Sequence, residues 1–303
     1  MADKGHSEAY FSEYRDFWWN QDYIELLAKR WNLHNHSALL DVGCGLCHWS
    51  KMFCSYLKQP AKIVALDHDP KWAKGDELIE EYFHKRKIGI EFVQGDACHI
   101  PLADDSFDIV TCQTVLIHVK DPLKALLEMK RVLKKGGLLI CAEPNNIAGT
   151  LVRSSVTAEE SIEETLDRVK FNLIYEKGKA KLGEGDNSFG DFLPGCFAEA
   201  GLKEIKVYQS DNCLPLYPPY SSSGEAAFIN TLNEWVDNGE GPFDYQQALT
   251  YFQAVSEEKE HMDFFHEQWR KNIAEIKSMN QAIDKRQFHT GGACMMYLVS
   301  GMK

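Results

Sequence analysis

Short apolar runs alternate with longer amphipathic stretches over residues 36–145. The apolar runs lie at 38–42, 62–67, 90–96, 107–113 and 137–143. The amphipathic stretches lie near 47–58, 70–85 and 121–135. Buried parallel strands are typically short continuous apolar runs, and the helices that connect them cover both faces of the sheet. The pattern therefore predicts five strands of a parallel α/β sheet.

The stretch at 121–135 carries signals for both ends of a helix. Asp121 and Pro122 are residue types preferred at a helix cap and first turn, and Lys134 and Lys135 precede two glycines. Basic residues favour the last turn of a helix, and glycine favours the residue after it. We therefore expect this helix to span residues 121–135.

Two further strands and several helices are predicted outside this region. Apolar residues at helical spacing over 8–31 and 192–201 indicate helices, and strands are predicted at 202–210 and 293–301. Between these strands, residues 215–290 begin with a proline- and serine-rich turn and continue with helical periodicity. We therefore expect an α/β fold with a mostly parallel sheet of seven strands and a helical insertion between the last two.

Composition and charge narrow the class of protein. The chain has 303 residues, of which 44% are hydrophobic and 26% charged, values typical of a globular protein with one large domain or a core with an added subdomain. No stretch has the ~18 apolar residues of a membrane helix, and the first residues lack a secretory leader, so we expect a cytoplasmic protein without a membrane partner. The net charge of −12 disfavours a nucleic-acid partner.

The cysteines do not indicate a metal or disulfide framework. The chain has 9, an odd number, and most of them lie within apolar runs. Cys44 and Cys47 form a CxxC, but no second pair follows at the spacing of a zinc site. We therefore expect reduced thiols and no metal.

A glycine-rich turn follows the first predicted strand directly. Gly43 and Gly45 flank Cys44 and precede a helix. Glycine lets the backbone turn sharply and approach a ligand, and a helix N-terminus offers N–H groups to it. However, His48 occupies the sixth position of the dinucleotide fingerprint GxGxxG, and the chain has no GxxxxGK[ST] phosphate loop. The turn is therefore predicted to seat a cofactor, and a nicotinamide or flavin dinucleotide is disfavoured.

Three aspartates lie at or after the ends of predicted strands. Asp41, Asp67 and Asp96 belong to the first, second and third strand in turn. The carboxyl ends of parallel strands share one edge of the sheet, where ligands bind in open α/β folds. A carboxylate at Asp67 can accept hydrogen bonds from both hydroxyls of a ribose. Three acids at one edge suit a sulfonium cation and would repel a pyrophosphate.

The motifs along this region resemble those of class I S-adenosylmethionine-dependent methyltransferases. They are DVGCG at 41–45, LDHDP at 66–70, QGDACHIPLADDSFDIV at 94–110 and LKKGGLLICAEP at 133–144. The resemblance covers about residues 36–145, with weaker support at 189–210 and 293–301. It implies a Rossmann-like fold and an enzyme that transfers a methyl group from S-adenosyl-L-methionine to a small or medium-sized organic acceptor by direct displacement. The product of the cofactor would be S-adenosyl-L-homocysteine.

The resemblance also implies cofactor roles for individual residues. The turn at Gly43, Cys44 and Gly45 would approach the methionine and ribose, and Asp41 would meet the amino group directly or through water. Asp67 would hold the ribose, with His68 beside it in the same motif. The other implied neighbours, which line the adenine or the sulfonium and acceptor, are Asp96, Ala97, Gln113 and His118. Cys47 stands where the family often has a third glycine.

Related enzymes close the pocket with an N-terminal helix, so the resemblance assigns a lid to residues 1–35. The lid candidates are Tyr10, Tyr14, Arg15 and Trp19, with Arg15 pairing with the methionine carboxylate. The predicted core then comprises residues 36–212 and 291–303. The helical insertion at 213–290 is expected to form a cap that contributes to the acceptor site.

A general base is needed only if the acceptor arrives protonated, because positioning and exclusion of water can supply much of the rate of a methyl displacement. His118 and Glu143, each near the carboxyl end of a strand, are the candidates, with His289 as another in the insertion. The alternative for His118 is a packed loop histidine. The alternative for Glu143 is a residue that simply ends its strand.

Several candidates also have purely structural explanations. Gln113 is either a pocket wall or a buried polar residue, Asp96 is alternatively a turn former, and Arg15 alternatively faces water. The aromatic residues of the insertion belong either to its core or to the acceptor site; they are Trp235, Phe264, Phe265 and Trp269. Two other functions stay open, an oxidoreductase with a nicotinamide or flavin cofactor and a noncatalytic S-adenosylmethionine-binding protein. The methylated atom and the oligomeric state are also left open.

Overall fold

The computed structural model describes residues 13–238, 241–292 and 295–303, which contain a seven-stranded sheet. The strands are β1 Ala38–Val42, β2 Ala61–Asp67, β3 Ile88–Gln94, β4 Phe107–Gln113, β5 Leu133–Pro144, β6 Lys203–Gln209 and β7 Met296–Met302. Their order across the sheet is β3-β2-β1-β4-β5-β7-β6. Only β7 runs antiparallel to its neighbours, β5 and β6, among these strands. The predicted seven-stranded, mostly parallel sheet is confirmed.

The central strands are apolar because both of their faces are buried. Along β1, Leu39 packs into the core on one face of the sheet and Leu40 into the core on the other. Side chains alternate between the two faces of a strand, so a strand covered on both sides needs an apolar residue at each position. This is why the runs at 38–42 and 107–113 identified β1 and β4 correctly.

Helices cover both faces of the sheet. The α-helices of the described residues are α1 Gln21–Arg30, α2 His48–Phe53, α3 Pro70–Ala73, α4 Glu77–His84, α5 Pro122–Val132, α6 Asn146–Gly149, α7 Ile162–Leu182, α8 Leu193–Glu199, α9 Ser223–Asn238, α10 Tyr245–Val255 and α11 Lys259–Asp284. None of the helices in this part of the chain is both long and apolar enough to cross a membrane. Helices α9, α10 and α11 form the insertion predicted between the last two strands, which is confirmed.

The helix predicted at 121–135 begins where expected and ends early. The Asp121 carboxylate accepts a hydrogen bond from the Lys124 N–H at 3.0 Å, and Pro122 lies in the first turn. The predicted end is wrong, because α5 stops at Val132 and Leu133 already pairs with Phe107 of β4. The strand continues through the glycines, where the Gly136 N–H donates to the Lys303 carbonyl at 3.1 Å.

A helix that the hydrophobic pattern did not reveal, α7, packs on the insertion. We call α7 and the helices α9, α10 and α11 together the cap. Helix α7 belongs to the segment after β5, outside the insertion, and it packs against α10 of the insertion. Phe171 and Tyr175 of α7 share an apolar cluster with Tyr251, Phe252 and Phe265. Two separate parts of the chain therefore build the cap together.

Candidate active site

A cavity of about 2240 Å³ lies at the carboxyl ends of β1, β2 and β4 and extends beneath the cap. Pockets for a single drug-sized ligand usually measure about 300–1000 Å³. The cavity therefore has room for a nucleoside cofactor and a second molecule. Its walls come from the sheet edge, from the segment at 14–21 and from the cap.

The glycine turn after β1 forms part of the cavity wall. Gly43 has a φ of +67°, and its N–H donates to the Leu66 carbonyl at 2.7 Å. A Cβ at this position would lie 2.4 Å from Cγ2 of Val115, well inside contact distance. Only glycine fits here, and its bare backbone faces the cavity.

Asp67 lies at the end of β2 with its carboxylate already oriented by the backbone. One carboxylate oxygen, Oδ2, accepts the Gly45 N–H at 2.9 Å, and the other accepts the Asp69 N–H at 3.0 Å. The side chain is buried from bulk solvent but lines the cavity. Nδ1 of His68, which also lines the cavity, lies 3.3 Å from Oδ1 of Asp67. The glycine turn and Asp67 thus meet at the same edge of the sheet.

Three predicted cofactor residues do not line the cavity: Asp41, Cys44 and Gly45. Asp41 is 1% exposed, and its carboxylate accepts the Ser50 hydroxyl at 2.6 Å. Burial raises the pKa of this carboxyl to about 7. Cys44 is buried, and the N–H of Gly45 is taken by Asp67. Asp41 therefore lies behind the turn, and the structure does not show direct access from its carboxylate to a cofactor amino group.

The remaining predicted cofactor residues of the sheet edge face the cavity. Asp96 and Ala97 follow β3, and Gln113 ends β4. The carboxylate of Asp96 also accepts the Cys98 N–H at 2.7 Å, so this residue both forms a turn and lines the cavity. Gln113 is half-buried in the wall. The sheet edge therefore brings Gly43, Asp67 and Asp96 to one rim.

The segment before α1 lies over the same cavity. Tyr14, Arg15 and Trp19 all line it, while Tyr10 lies outside the described residues. The guanidinium of Arg15 lies 5.3 Å from the centre of the Trp18 ring, and burial lowers its pKa to about 10. We keep the name lid for this segment; that it closes over bound molecules remains a prediction.

Contacts at both of its sides hold the lid in place. Asp16 pairs with Nδ1 of His48 on α2 at 2.5 Å. On the other side, the ring of Tyr14 lies 5.3 Å from that of Phe228 on α9, and the Asn212 amide donates to the Phe17 carbonyl at 2.8 Å. This segment therefore contacts both α2 and the cap.

The two predicted bases are placed very differently. His118 is exposed to the cavity, in the loop after β4. Glu143 is fully buried outside the cavity lining, and its carboxylate accepts the N–H groups of Val115 at 3.0 Å and Leu116 at 2.9 Å. Burial raises the pKa of Glu143 to about 7. The expectation that Glu143 acts on an acceptor is contradicted, because its carboxylate instead holds the loop that carries His118.

Besides polar groups such as Lys179 and Gln247, the part of the cavity beneath the cap is lined by aromatic and other apolar side chains. These include Phe228, Phe243, Tyr251, Met279 and Phe288. The insertion aromatics named from the sequence, Trp235, Phe264, Phe265 and Trp269, instead belong to the two apolar clusters of the cap. Neither they nor His289 line the cavity. We call the part of the cavity beneath the cap the acceptor chamber, after the role that we propose for it below.

Two ionisable residues of α7 in the chamber wall were missed. Glu176 accepts the Ser188 hydroxyl at 2.8 Å, and burial raises its pKa to about 7. Lys179 is 5% exposed, and burial lowers its pKa to about 8. The helix that carries them had a readable start, because Ser161 and Glu164 form a capping box. Gly183, with a φ of +79°, marks its end.

Comparison with known proteins gives consistent results. The model of the methyltransferase-domain family matches residues 40–141. The demethylmenaquinone methyltransferase of Staphylococcus epidermidis is 30% identical over 183 residues, which cover 58% of this chain and 72% of that protein. The enzyme of the same name from Staphylococcus haemolyticus is 37% identical over 178 residues, covering 56% of this chain and 70% of its own length.

Solved structures share the fold over nearly the whole chain. A Bacillus halodurans protein aligns with a TM-score of 0.50 and 19% identity, covering 94% of this chain and 98% of its own. The YcgJ protein of Bacillus subtilis gives a TM-score of 0.50 at 17% identity, covering 94% of this chain and 99% of its own. At this identity the likeness concerns the fold alone.

Proposed function

The chain belongs to the class I S-adenosylmethionine-dependent methyltransferases, and from this premise we propose that it binds the cofactor along Gly43 and Asp67 and methylates a small organic acceptor in the chamber beneath the cap. The observation that carries the proposal is the meeting of a bare glycine backbone and an oriented carboxylate at the rim of one cavity. The cavity continues from that rim into the acceptor chamber.

The residues present fit an adenosyl group with an amino-acid tail. Asp67 keeps lone pairs beyond those used by the Gly45 and Asp69 N–H groups, and these accept from the two ribose hydroxyls. A side chain at position 43 would collide with Val115, so the turn leaves its backbone open to the cofactor. Asp96 and Ala97 are the lining residues for the adenine. Arg15 supplies a cation for the methionine carboxylate.

The cofactor, when bound, supplies a methyl group on a sulfonium that a nucleophile can displace. The chain's own residues align the two reactants and keep water away from them. The lid lines the cavity and contacts both α2 and the cap, so it would enclose the bound molecules from one side. Alignment and exclusion of water account for much of the acceleration of such a displacement.

We assign the acceptor to an organic molecule with an apolar body. The chamber presents Phe228, Phe243 and Phe288, and such side chains gain most by contact with apolar or aromatic ligands. Polar groups of α7 and His118 occupy one part of its wall. The Staphylococcus relatives are named for demethylmenaquinone, which makes that compound a reasonable first member of a test panel.

The proposal is tested by incubating the purified chain with methyl-labelled S-adenosylmethionine and a panel of apolar hydroxylated and quinol compounds, demethylmenaquinone included. We expect label to appear in an organic-soluble product and an equal amount of S-adenosylhomocysteine to form. The Asp67→Ala variant serves as the inactive control. Tight binding of S-adenosylhomocysteine without labelled product from the panel or from fractionated cell extract would contradict a small organic acceptor.

A further inference from the structure

Lys179 of α7 makes three hydrogen bonds from the wall of the acceptor chamber. Its Nζ lies 2.9 Å from the Ile117 carbonyl and 3.3 Å from Nδ1 of His118, and it also contacts Oδ1 of Asn187. A carbonyl oxygen and an amide oxygen can only accept. A protonated lysine has three hydrogens to donate, so these partners match the ammonium form.

The contact between Lys179 and Nδ1 of His118 bears on which ring nitrogen of His118 carries a hydrogen. If Nδ1 of His118 accepts from the ammonium, the ring is neutral and its hydrogen lies on Nε2. The loop that carries His118 is itself fixed, because Glu143 accepts the N–H groups of Val115 and Leu116.

We propose that Lys179 is a positioning residue that holds His118 in the Nε2–H tautomer, so that His118 meets the acceptor as a hydrogen-bond donor. Its partner on the acceptor is then a hydrogen-bond-accepting oxygen, such as a carbonyl or phenolate, and not an ammonium. The statement about the acceptor rests on the proposed function. The statement about the tautomer does not, since it concerns only the chain's own atoms.

The same contacts predict how the pair responds to pH. Burial lowers the pKa of Lys179 to about 8, opposed in part by the carboxylates of Glu184, Glu176, Asp186 and Glu143. These acids come from the loop after α7, from α7 itself and from β5. Above that pH the neutral amine offers a lone pair, so the Nδ1–H form of His118 becomes available. The tautomer should therefore shift toward Nδ1–H as the pH rises through about 8.

Nuclear magnetic resonance of the chain labelled with ¹⁵N-histidine tests this without cofactor or acceptor. The two ring nitrogens of a neutral histidine give distinct shifts, and the His118→Gln variant identifies the signals of His118. We expect a protonated Nε2 and an unprotonated Nδ1 at pH 7. In Lys179→Met, which cannot donate, this preference should be lost.

Two further variants separate the roles of charge, contact and fold. Lys179→Arg retains a cationic donor and should preserve the Nε2–H signature. Lys177→Met changes an exposed lysine on the same helix and should leave the His118 signals unchanged. A protonated Nδ1 in the wild-type chain at pH 7 would overturn the proposal without reference to any variant, as would an unaltered tautomer in folded Lys179→Met. Absence of methyl transfer with the expected tautomer present would count against the proposed function alone.

Discussion

At the scale of single residues, Asp67 is oriented before any ligand arrives. Two backbone N–H groups fix its carboxylate, one of them from the glycine turn. A side chain that is held in place loses little conformational freedom on binding. The position of this carboxylate could be predicted from the sequence, because the end of an apolar strand and the edge of a parallel sheet coincide.

Replacing Asp67 with asparagine should weaken the binding of S-adenosylhomocysteine. A hydrogen bond to a charged group contributes about 1.5–3 kcal/mol, so we expect a Kd roughly 10–150-fold higher. Isothermal titration calorimetry measures the effect. Glu91→Gln removes a surface carboxylate of β3 and should bind like the wild type. Equal affinity of the Asp67→Asn and wild-type chains would refute the role of this carboxylate.

Gly43 should not tolerate a side chain. In Gly43→Ala, the new Cβ would lie 2.4 Å from Val115, and the φ of +67° is unfavourable for alanine. Such overpacking costs about 1–3 kcal/mol, so both the melting temperature and the affinity for S-adenosylhomocysteine should fall. The Gly43→Ala/Val115→Ala double variant removes the clash and should recover part of the loss. Gly195→Ala, at a position with open space outside the cavity lining, is the matched control.

Other single residues show what a pattern of residue types cannot predict. Asp41 lies near the carboxyl end of β1 and Glu143 near that of β5, where ligand-binding acids are expected in an open α/β sheet. Both carboxylates are nevertheless buried in the protein interior. Whether a strand-end acid faces the ligand or the loop behind it depends on which neighbours cover it. Those neighbours, Ser50 for Asp41 and the Val115–Leu116 backbone for Glu143, come from other parts of the chain.

At the scale of elements, Glu143 near the end of β5 accepts hydrogen bonds from the loop after β4 and holds that loop in place. The buried carboxyl of Glu143 has a pKa raised to about 7 from its usual 4.5 by burial. The folded chain therefore holds a proton that the unfolded chain releases between these values. The stabilisation from this group is complete below pH 4.5 and is lost as the pH rises to about 7.

The Glu143→Gln variant should lack this pH dependence. We expect the free energy of unfolding of the wild type, relative to the variant, to decrease from pH 4.5 to about 7 and then to stay constant. Urea unfolding at several pH values measures it. The free energy of unfolding of Glu91→Gln, which changes an exposed residue of β3, should depend on pH as that of the wild type does. A constant difference between wild type and Glu143→Gln across the window would contradict the assignment.

Helix α7 and helix α10 approach closely at Gly178. A Cβ there would lie 2.0 Å from the Tyr251 carbonyl oxygen. Gly178→Ala should therefore destabilise the chain by about 1–3 kcal/mol, despite the higher helix propensity of alanine. We expect the melting temperature to fall by roughly 2–12 °C, with S-adenosylhomocysteine binding retained because this contact includes none of Gly43, Asp67 and Asp96. A wild-type melting temperature would show that the helices can separate freely.

The elements of the sheet were more predictable than those of the cap. Strands buried on both faces leave continuous apolar runs, which located β1, β2 and β4 to within a residue or two. Helix α7 leaves no such signal, since it buries Phe171, presents Lys179 to the chamber and leaves Ile162 exposed. Its ends could have been found from the capping box at Ser161 and the glycine at 183.

At the scale of the whole molecule, one cavity joins the edge of the sheet to the cap. The family model matches residues 40–141, whereas the chamber is completed by helices from 162–182 and 223–284. The rim formed by Gly43, Asp67 and Asp96 depends on local motifs and on the order of the strands, so its position could be predicted from the sequence. The chamber depends on contacts between distant segments, so its aromatic lining and Lys179 could only be identified from the folded chain.

A crystal structure of the chain with S-adenosylhomocysteine would test directly whether Asp67 holds the ribose of the cofactor. We predict that both ribose hydroxyls lie within hydrogen-bond distance, about 2.5–3.0 Å, of the Asp67 carboxylate, with the cofactor sulfur directed toward the acceptor chamber and His118. A nucleoside bound elsewhere, or an Asp67 carboxylate that does not contact the ribose, would contradict the central claim.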